Sequence, residues 1–547
     1  MSPAQHNAHR HRLARRWTEA EAAYRRLLAL DPNDVEAEYL LAISLQEQGK
    51  VEAAAAAYRS LIGRAPGHVD AYNNLGVAYK AMGRLEEAVA AYREALRLRR
   101  DHAASWSNLG NALKALGRQN EAEAAYRRAI EVRPDYAEVH HSLGALLLEM
   151  ERTDEAETSL RSALSWKPDY PSALNYLGMA SQERDRIDEA VAFYLRALAI
   201  DPEYAEAHNN LGFAMRRLGR LDEAVARYGL ALVFKPDFPQ AAMNRALVDL
   251  ARGELDLGWS DYRSRPLVRR DVVAAPPAPL PADLRGRTFV LLKEQGLGDE
   301  LFFLRFAPLL KARGADFAIE ASPKIASILR RVDGFDQILS DGVGPADGEK
   351  VFQGDLPYLL GCADSANLPP PLKLEPLPER LDRWRRRLDS VGPRPHVAVT
   401  WRGGVKGPGK LFKQAPLDRM AGVLENVAGS VMALQRQPRP GEVAEMESRL
   451  GRGVGDLTDA NEDIEDVLAL LALIDTYVTV SNTNVHLRAG VSASCHVVVP
   501  HPPEFRWLVE GERTPWFRDF HVYRQKADGN WDGAIAALRR DLAGLKH

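Results

Sequence analysis

Residues 74–96 read NLGVAYKAMGRLEEAVAAYREAL. On both sides of Met82-Gly83-Arg84 the apolar residues recur at three- and four-residue intervals, which predicts two amphipathic helices joined by a tight glycine turn. The same arrangement returns every 34 residues. Pro32, Pro66, Pro134, Pro168, Pro202 and Pro236 keep that interval or a multiple of it, and Arg100 occupies the one slot without proline. Gly76, Gly110, Gly144, Gly178 and Gly212 keep it as well, with Ala42 and Ala246 extending the register at either end. A helix pair cannot bury its apolar face alone, so a period of this length predicts a solenoid whose units cover one another. Six full units are expected between 35 and 238, preceded by a degenerate unit and followed by a helical cap to about Arg263.

The pattern LG..(Y/L)...GR.(D/E)EA...Y..AL...P resembles the tetratricopeptide repeat, over roughly residues 1–265. Such solenoids present a concave face to protein partners. Two residues before each repeat glycine stand Asn74, Asn108, Ser142, Tyr176, Asn210 and Asn244. An amide there can donate to and accept from an extended peptide backbone without reading its side chains. The series is similar to the asparagine ladder of eukaryotic O-GlcNAc transferases, which implies acceptor-peptide binding by Asn74, Asn108, Asn210 and Asn244. The alternative is that these amides bond between adjacent helices.

Composition narrows the classes of function. The chain has 547 residues, 46% hydrophobic and 27% charged, which is a globular balance and not that of a disordered chain. Its 72 Lys and Arg nearly cancel its 75 Asp and Glu, leaving a net charge of -3. That argues against a nucleic-acid binder, which needs a basic surplus. Two cysteines, Cys362 and Cys495, cannot form a disulfide framework and fit a reducing, cytoplasmic setting. No window is apolar enough to span a bilayer, so no membrane insertion is expected. The first residues, MSPAQHNAHRHRLARR, lack the apolar stretch of a secretory signal.

After Arg265 the periodicity changes. Residues 266–287, with Pro276, Pro277, Pro279 and Pro281, read as a stiff linker. Short apolar runs then alternate with helical stretches, the mark of parallel βαβ units. TFVLLKE, ADFAIEA and DQILS belong to a first lobe at 288–366. Residues 367–394 contain a second proline-rich stretch and a helix. HVAVTWRGG, SVMALQRQ, DTYVTVSN and CHVVVPHP belong to a second lobe at 395–547. The fold class expected is therefore α plus α/β: an α-solenoid followed by two Rossmann-like lobes facing across a cleft, the arrangement called GT-B. Ligands of open parallel sheets lie beyond the carboxyl ends of strands. Those ends carry Glu294 to Asp299, Trp401 to Gly404, Gln435-Arg436, Ser481 to Asn484, and His501.

KEQGLGDELFFLRFAPLL (293–310), the K-x-x-P-L of Lys413 to Leu417, SNTNVHLRAG (481–490), VVVPHPPEFRW (497–507) and TPWF (514–517) occur in that order. The set resembles bacterial proteins that join tetratricopeptide repeats to a GT-B domain similar to ADP-heptose:lipopolysaccharide heptosyltransferases. Some relatives of that kind glycosylate flagellin. The resemblance implies an inverting, metal-independent sugar transfer from a nucleotide sugar, with no other cofactor. It implies Asp299 as the base that takes the acceptor proton and Lys413 as a contact of the donor phosphates. The competing role for Asp299 is a helix cap, and Glu294 and Glu300 are rival bases. Lys406 and Lys410 lie near Lys413. Gly296 and Gly298 would let a sugar approach the backbone. Ser481, Asn482 or Thr483 would start a helix whose free N–H groups face a diphosphate, with His486 one turn in. Relatives carry Asp-Thr before the matching histidine, where this chain has Ser481-Asn482, so the donor differs or catalysis is weakened. Trp401, Arg402 and Gln435 complete the donor-side set. Glu504, Arg506 and Trp507 lie in a segment expected to close the cleft, and Trp259 and Tyr262 to pack the last repeat onto the linker.

GVKGPGKL (404–411) nearly spells a phosphate loop, but Leu411 stands where Ser or Thr would hold magnesium. There is no DxD or HExxH pattern and no paired cysteine, so no metal site is expected. The leading expectation is a protein O-glycosyltransferase whose repeats hold a polypeptide, a flagellin-like candidate, for transfer to Ser or Thr. The alternatives are a non-catalytic scaffold and a lipopolysaccharide-core sugar transferase.

Overall fold

The computed structural model describes residues 3–265, 278–293, 296–339, 347–403 and 413–544. The chain packs as two compact units, residues 1–210 and 211–547.

The repeat region repeats its helices to the residue. After a leading pair, Pro3–Leu13 and Trp17–Leu30, first helices start at Val35, Val69, Ala103, Ala137, Pro171, Ala205 and Pro239. Second helices start at Val51, Leu85, Gln119, Thr153, Ile187, Leu221 and Leu255. The cap expected at the end is thus another full helix pair, with its second helix cut to Leu255–Tyr262. Small residues make the pairing possible. A methyl group built on Gly76 would stand 2.5 Å from the ring of Tyr92, and one on Gly178 2.4 Å from that of Tyr194. The turn between paired helices always needs a left-handed residue. Gly49, Gly83, Gly117 and Gly219 supply it at φ near 74°, whereas Glu151 and Asp185 are forced to 59° and 63°.

Two parallel sheets follow. The first contains β1 (Thr288–Leu292), β2 (Asp316–Glu320), β3 (Ile338–Leu339) and β4 (Glu349–Phe352), in the order β3-β2-β1-β4. The second contains β5 (His396–Thr400), β8 (Ser430–Ala433), β9 (Val454–Asp456), β10 (Thr476–Val480), β11 (Cys495–Val499) and β12 (Phe520–Arg524). A small antiparallel ribbon of β6 (Arg402–Gly403) and β7 (Lys413–Gln414) lies between β5 and β8 in the chain. The larger sheet runs β12-β11-β10-β5-β8-β9, the doubly wound order. In each sheet the winding direction reverses at the first strand, β1 or β5. At such a switch point the flanking crossovers diverge and leave a crevice at the strand's carboxyl end.

The core that joins the lobes is aromatic. Trp259 packs edge-on against Phe303, Phe505 and Trp516, with ring centroids 6.2, 5.7 and 5.9 Å away. Trp259 and Tyr262 therefore bury themselves in the α/β half, beyond the linker contact anticipated for them. The first of the linker prolines, Pro276 and Pro277, lie outside the described residues.

Candidate functional site

Both switch points open toward one another. Beyond β1, Gly296 precedes the helix Leu297–Leu304, which carries Asp299 on its first turn. Beyond β10, Asn482 caps the helix Thr483–Gly490, its Oδ1 accepting from the N–H of Asn484 at 2.9 Å. The two helices meet at Gly298, where an added methyl would lie 3.2 Å from Cδ2 of His486. Ser481 is buried, and Gly403 approaches it so closely that a side chain there would strike its carbonyl at 2.6 Å.

The decisive side chains come from the turn after β11. Arg506 forms an ion pair with Asp299 across the lobes, and its guanidinium lies over the ring of Phe302 at 4.5 Å. Glu504 accepts from Ser481 Oγ and pairs with Lys413. Burial would raise the Glu504 carboxyl, but the Lys413 ammonium and the Arg506 guanidinium overcome it and bring it down to about 2. Arg305 is wholly buried. It donates to the Trp516 carbonyl at 2.8 Å, and among the described residues no carboxylate pairs with it. Burial first, then the charge of Arg506, lowers its guanidinium to about 9. Burial likewise holds His486 neutral, well below its usual value, helped by Arg506, Arg305 and Lys413. Its Nδ1 has no partner among the described residues. In this cluster Arg506, Lys413 and Arg305 face the two carboxylates of Asp299 and Glu504.

Other predicted residues have different neighbours. Gln435 is buried at the end of β8. Its Oε1 accepts from the backbone N–H of Trp401 (3.2 Å) and Arg402 (3.0 Å), and its Nε2 donates to the carbonyls of Arg402 (2.8 Å) and Arg436 (3.0 Å). The Trp401 indole is wholly buried and donates to Glu442 at 2.9 Å, which also pairs with Arg402 at 2.9 Å. These four side chains stitch the strand ends together. Glu300, a rival base, is buried and turns away to Ser322. Glu294, Lys406, Lys410 and the near phosphate loop 404–411 lie outside the described residues, apart from the preceding Gly403. Thr483 opens its helix half-buried. Arg506 and Glu504 were noted in the sequence only as a closing segment. Their pairing with Asp299 and Lys413 depends on which helices face each other, and no spacing encodes that.

In the repeats, Asn108 Nδ2 donates to Asn73 at 3.0 Å, Asn210 to Asn175 at 3.0 Å, and Asn74 to the Tyr39 hydroxyl at 3.1 Å. Each of these bonds reaches 35 residues back, to the preceding unit. Asn74, Asn108 and Asn210 remain half-exposed, whereas Asn244 is buried and accepts from Gln240 at 3.1 Å.

Models of the tetratricopeptide repeat match residues 68–135, 101–166, 182–219, 7–69 and 39–81. The N-terminal region is a tetratricopeptide-repeat solenoid. Protein FlbA of Caulobacter vibrioides is 25% identical over 332 residues, covering 55% of this chain and 54% of that protein. The chain thus spans about half the length of this curated relative. Among solved structures, the repeat protein YrrB is 23% identical (34% of this chain, 96% of that one, TM-score 0.30). PilF of Pseudomonas aeruginosa is 20% identical (36% and 90%, TM-score 0.33). The Cut9 and Hcn1 assembly is also 20% identical (47% and 51%, TM-score 0.38). Among the described residues, no helix is long and apolar enough to cross a membrane, and no group of three or more His, Cys, Asp or Glu is arranged to hold a metal ion.

Proposed function

We propose that the protein is an inverting glycosyltransferase of GT-B type that transfers sugar from a nucleotide sugar to Ser or Thr of a polypeptide held by the repeats. The observation that carries this reading is the cluster of Arg506, Lys413 and Arg305 near the carboxyl edges of two parallel sheets. In the transfer, the acceptor hydroxyl oxygen bonds to the anomeric carbon while the bond to the diphosphate oxygen breaks. The hydroxyl proton passes to Asp299. The departing diphosphate gains charge and is stabilised by Arg506, Lys413 and the N–H groups that begin the helix Thr483–Gly490. The chain's own residues account for each of these steps, with no metal in any of them. A flagellin-like protein is the acceptor that the motif resemblance supports, and the cytoplasm is where the reaction would run. Tethering acceptor and cleft in one chain raises their local concentration.

The test is incubation of the purified protein with a panel of nucleotide sugars and flagellin, followed by intact-mass measurement. A sugar adduct that disappears in Asp299→Asn supports the reading. No adduct, together with no donor raising the melting temperature, removes it. A second reading, a binding scaffold, is favoured by the Arg506 ion pair that occupies Asp299 and by Ser481-Asn482 in place of an acid. Under that reading Asp299→Asn and Lys413→Ala leave the cellular phenotype unchanged. A third, sugar transfer to lipopolysaccharide core, would show as modification of the lipid and not of protein.

A further inference from the structure

The one repeat turn without proline borders a groove of about 710 Å³. It lies among the helices Leu85–Leu98, Ala103–Ala115 and Gln119–Val132. Leu96, Leu109 and Leu113 make its floor, with Trp106 at one end. Trp106, Leu109 and Leu113 share one face of their helix by its 3.6-residue period, and Asn108 lies on another side. The groove is therefore separate from the asparagine series.

Its rim is cationic. Arg93, Arg97, Arg100 and Arg128 line it against only Glu121 and Glu131. Arg93 pairs with Glu121 at 3.0 Å, Arg97 with Glu94 at 2.8 Å and Arg128 with Glu131 at 2.5 Å, all in the open. Exposed pairs of this kind give way easily to a better placed anion. Arg100, which replaces the proline, makes no side-chain hydrogen bond or ion pair among the described residues. Its carbonyl accepts from the Trp106 indole at 2.8 Å, which fixes the turn that presents it. The helix-end position that Val132 holds at the groove is also apolar and exposed in the next two units. Val132, Trp166 and Ile200, each ending the second helix of successive units, are 38%, 56% and 40% exposed.

We infer that this groove docks an extended acidic peptide of a partner protein, with apolar side chains on the leucine floor and carboxylates on Arg97 and Arg100. The charge of the rim selects an anionic occupant. The apolar floor suits peptide side chains better than a sugar-phosphate backbone, which offers charge without apolar groups.

The probe is a fluorescein-labelled peptide of Glu residues interspersed with Leu and Phe, compared with its Lys-for-Glu counterpart by anisotropy on the full chain. The acidic peptide should bind, more weakly at high salt, and the counterpart should not. Arg97→Glu/Arg100→Glu should weaken binding about tenfold or more while leaving the melting temperature unchanged. Asn74→Ala/Asn108→Ala should bind as wild type. Equal binding of both peptides, or wild-type affinity in the arginine variant, overturns the inference. So does loss of binding in the asparagine variant alone. Concentration-dependent self-association abolished by the arginine variant would place a second copy in the groove and overturn the choice of a partner peptide.

Discussion

Asp299 and Arg506 belong to different lobes and form an ion pair in which the arginine is nearly buried and the aspartate one-third exposed. The pair does two things at once. It ties the helix after β1 to the turn after β11, and it holds the Asp299 carboxylate against the guanidinium of the other lobe. Under the proposed transfer, an incoming diphosphate would compete for the same guanidinium and release Asp299 to act as the base.

Replacing Arg506 by Ala strips a buried pair of one partner and also leaves Glu504 with less positive charge nearby. A loss on the order of 3 kcal/mol is expected from such a deletion. Nucleoside diphosphates should no longer raise the melting temperature. Asp299→Asn should keep that response and lose sugar transfer. Thermal-shift titrations of the two variants side by side check both statements.

The Glu504 carboxyl sits at about 2 in the folded chain against an ordinary 4.5. Its contribution to stability is complete above 4.5, where folded and unfolded chains are both ionised. As pH falls from 4.5 toward 2 the unfolded chain takes up a proton that the folded chain refuses, and stability drops. Glu504→Gln removes this dependence. Unfolding free energies of wild type and variant from urea titrations should differ by an amount on the order of 3 kcal/mol near neutrality and converge toward pH 2.

Three turns of the array carry built-in strain, at Arg15, Glu151 and Asp185. Glu151 and Asp185 occupy the left-handed slot that glycine fills in the neighbouring units. Left-handed backbone costs an L-residue about 1–2 kcal/mol, of which glycine's greater unfolded freedom returns part. Glu151→Gly and Asp185→Gly should each stabilise the protein by about 0.5–1 kcal/mol, measured as a rise in melting temperature.

These same turns show what a sequence can encode. The 34-residue register was legible to the residue because every unit meets the same neighbours, so each position faces the same demand. Strands β1, β2, β5, β8, β10 and β11 were legible as apolar runs because both of their faces are covered, and the edge strand β3 was legible from the run DQILS. Strands β4 (Glu349–Phe352), β9 (Val454–Asp456) and β12 (Phe520–Arg524) pair at the sheet edges, where polar residues are tolerated, and they left no such run. The glycines and Asp299 stood out because a tight turn narrows the choice of residue. Arg506 did not, because its partner lies 207 residues away and only the docking of two lobes brings them together.

The boundary between repeats and α/β half is the last point at which structure and sequence period part. By period, Pro239–Arg252 and Leu255–Tyr262 are repeat helices. By packing, they belong to the unit 211–547. Val509 donates its N–H to the Ala251 carbonyl at 2.9 Å, and Arg265 is buried in an ion pair with Asp355 at 2.6 Å. Trp259 sits between them, 2% exposed, against the same Phe505 that precedes Arg506. Trp259→Ala should therefore cost about 3–5 kcal/mol, the usual loss for a large buried aromatic. It should also weaken nucleoside diphosphate binding, because the turn holding Arg506 loses its support. A chain beginning at residue 266 should fail to fold, whereas one beginning at residue 205 should show a cooperative melt. Circular dichroism of both fragments distinguishes a packed joint from a flexible tether, since a tether would let the shorter fragment melt as sharply as the longer one.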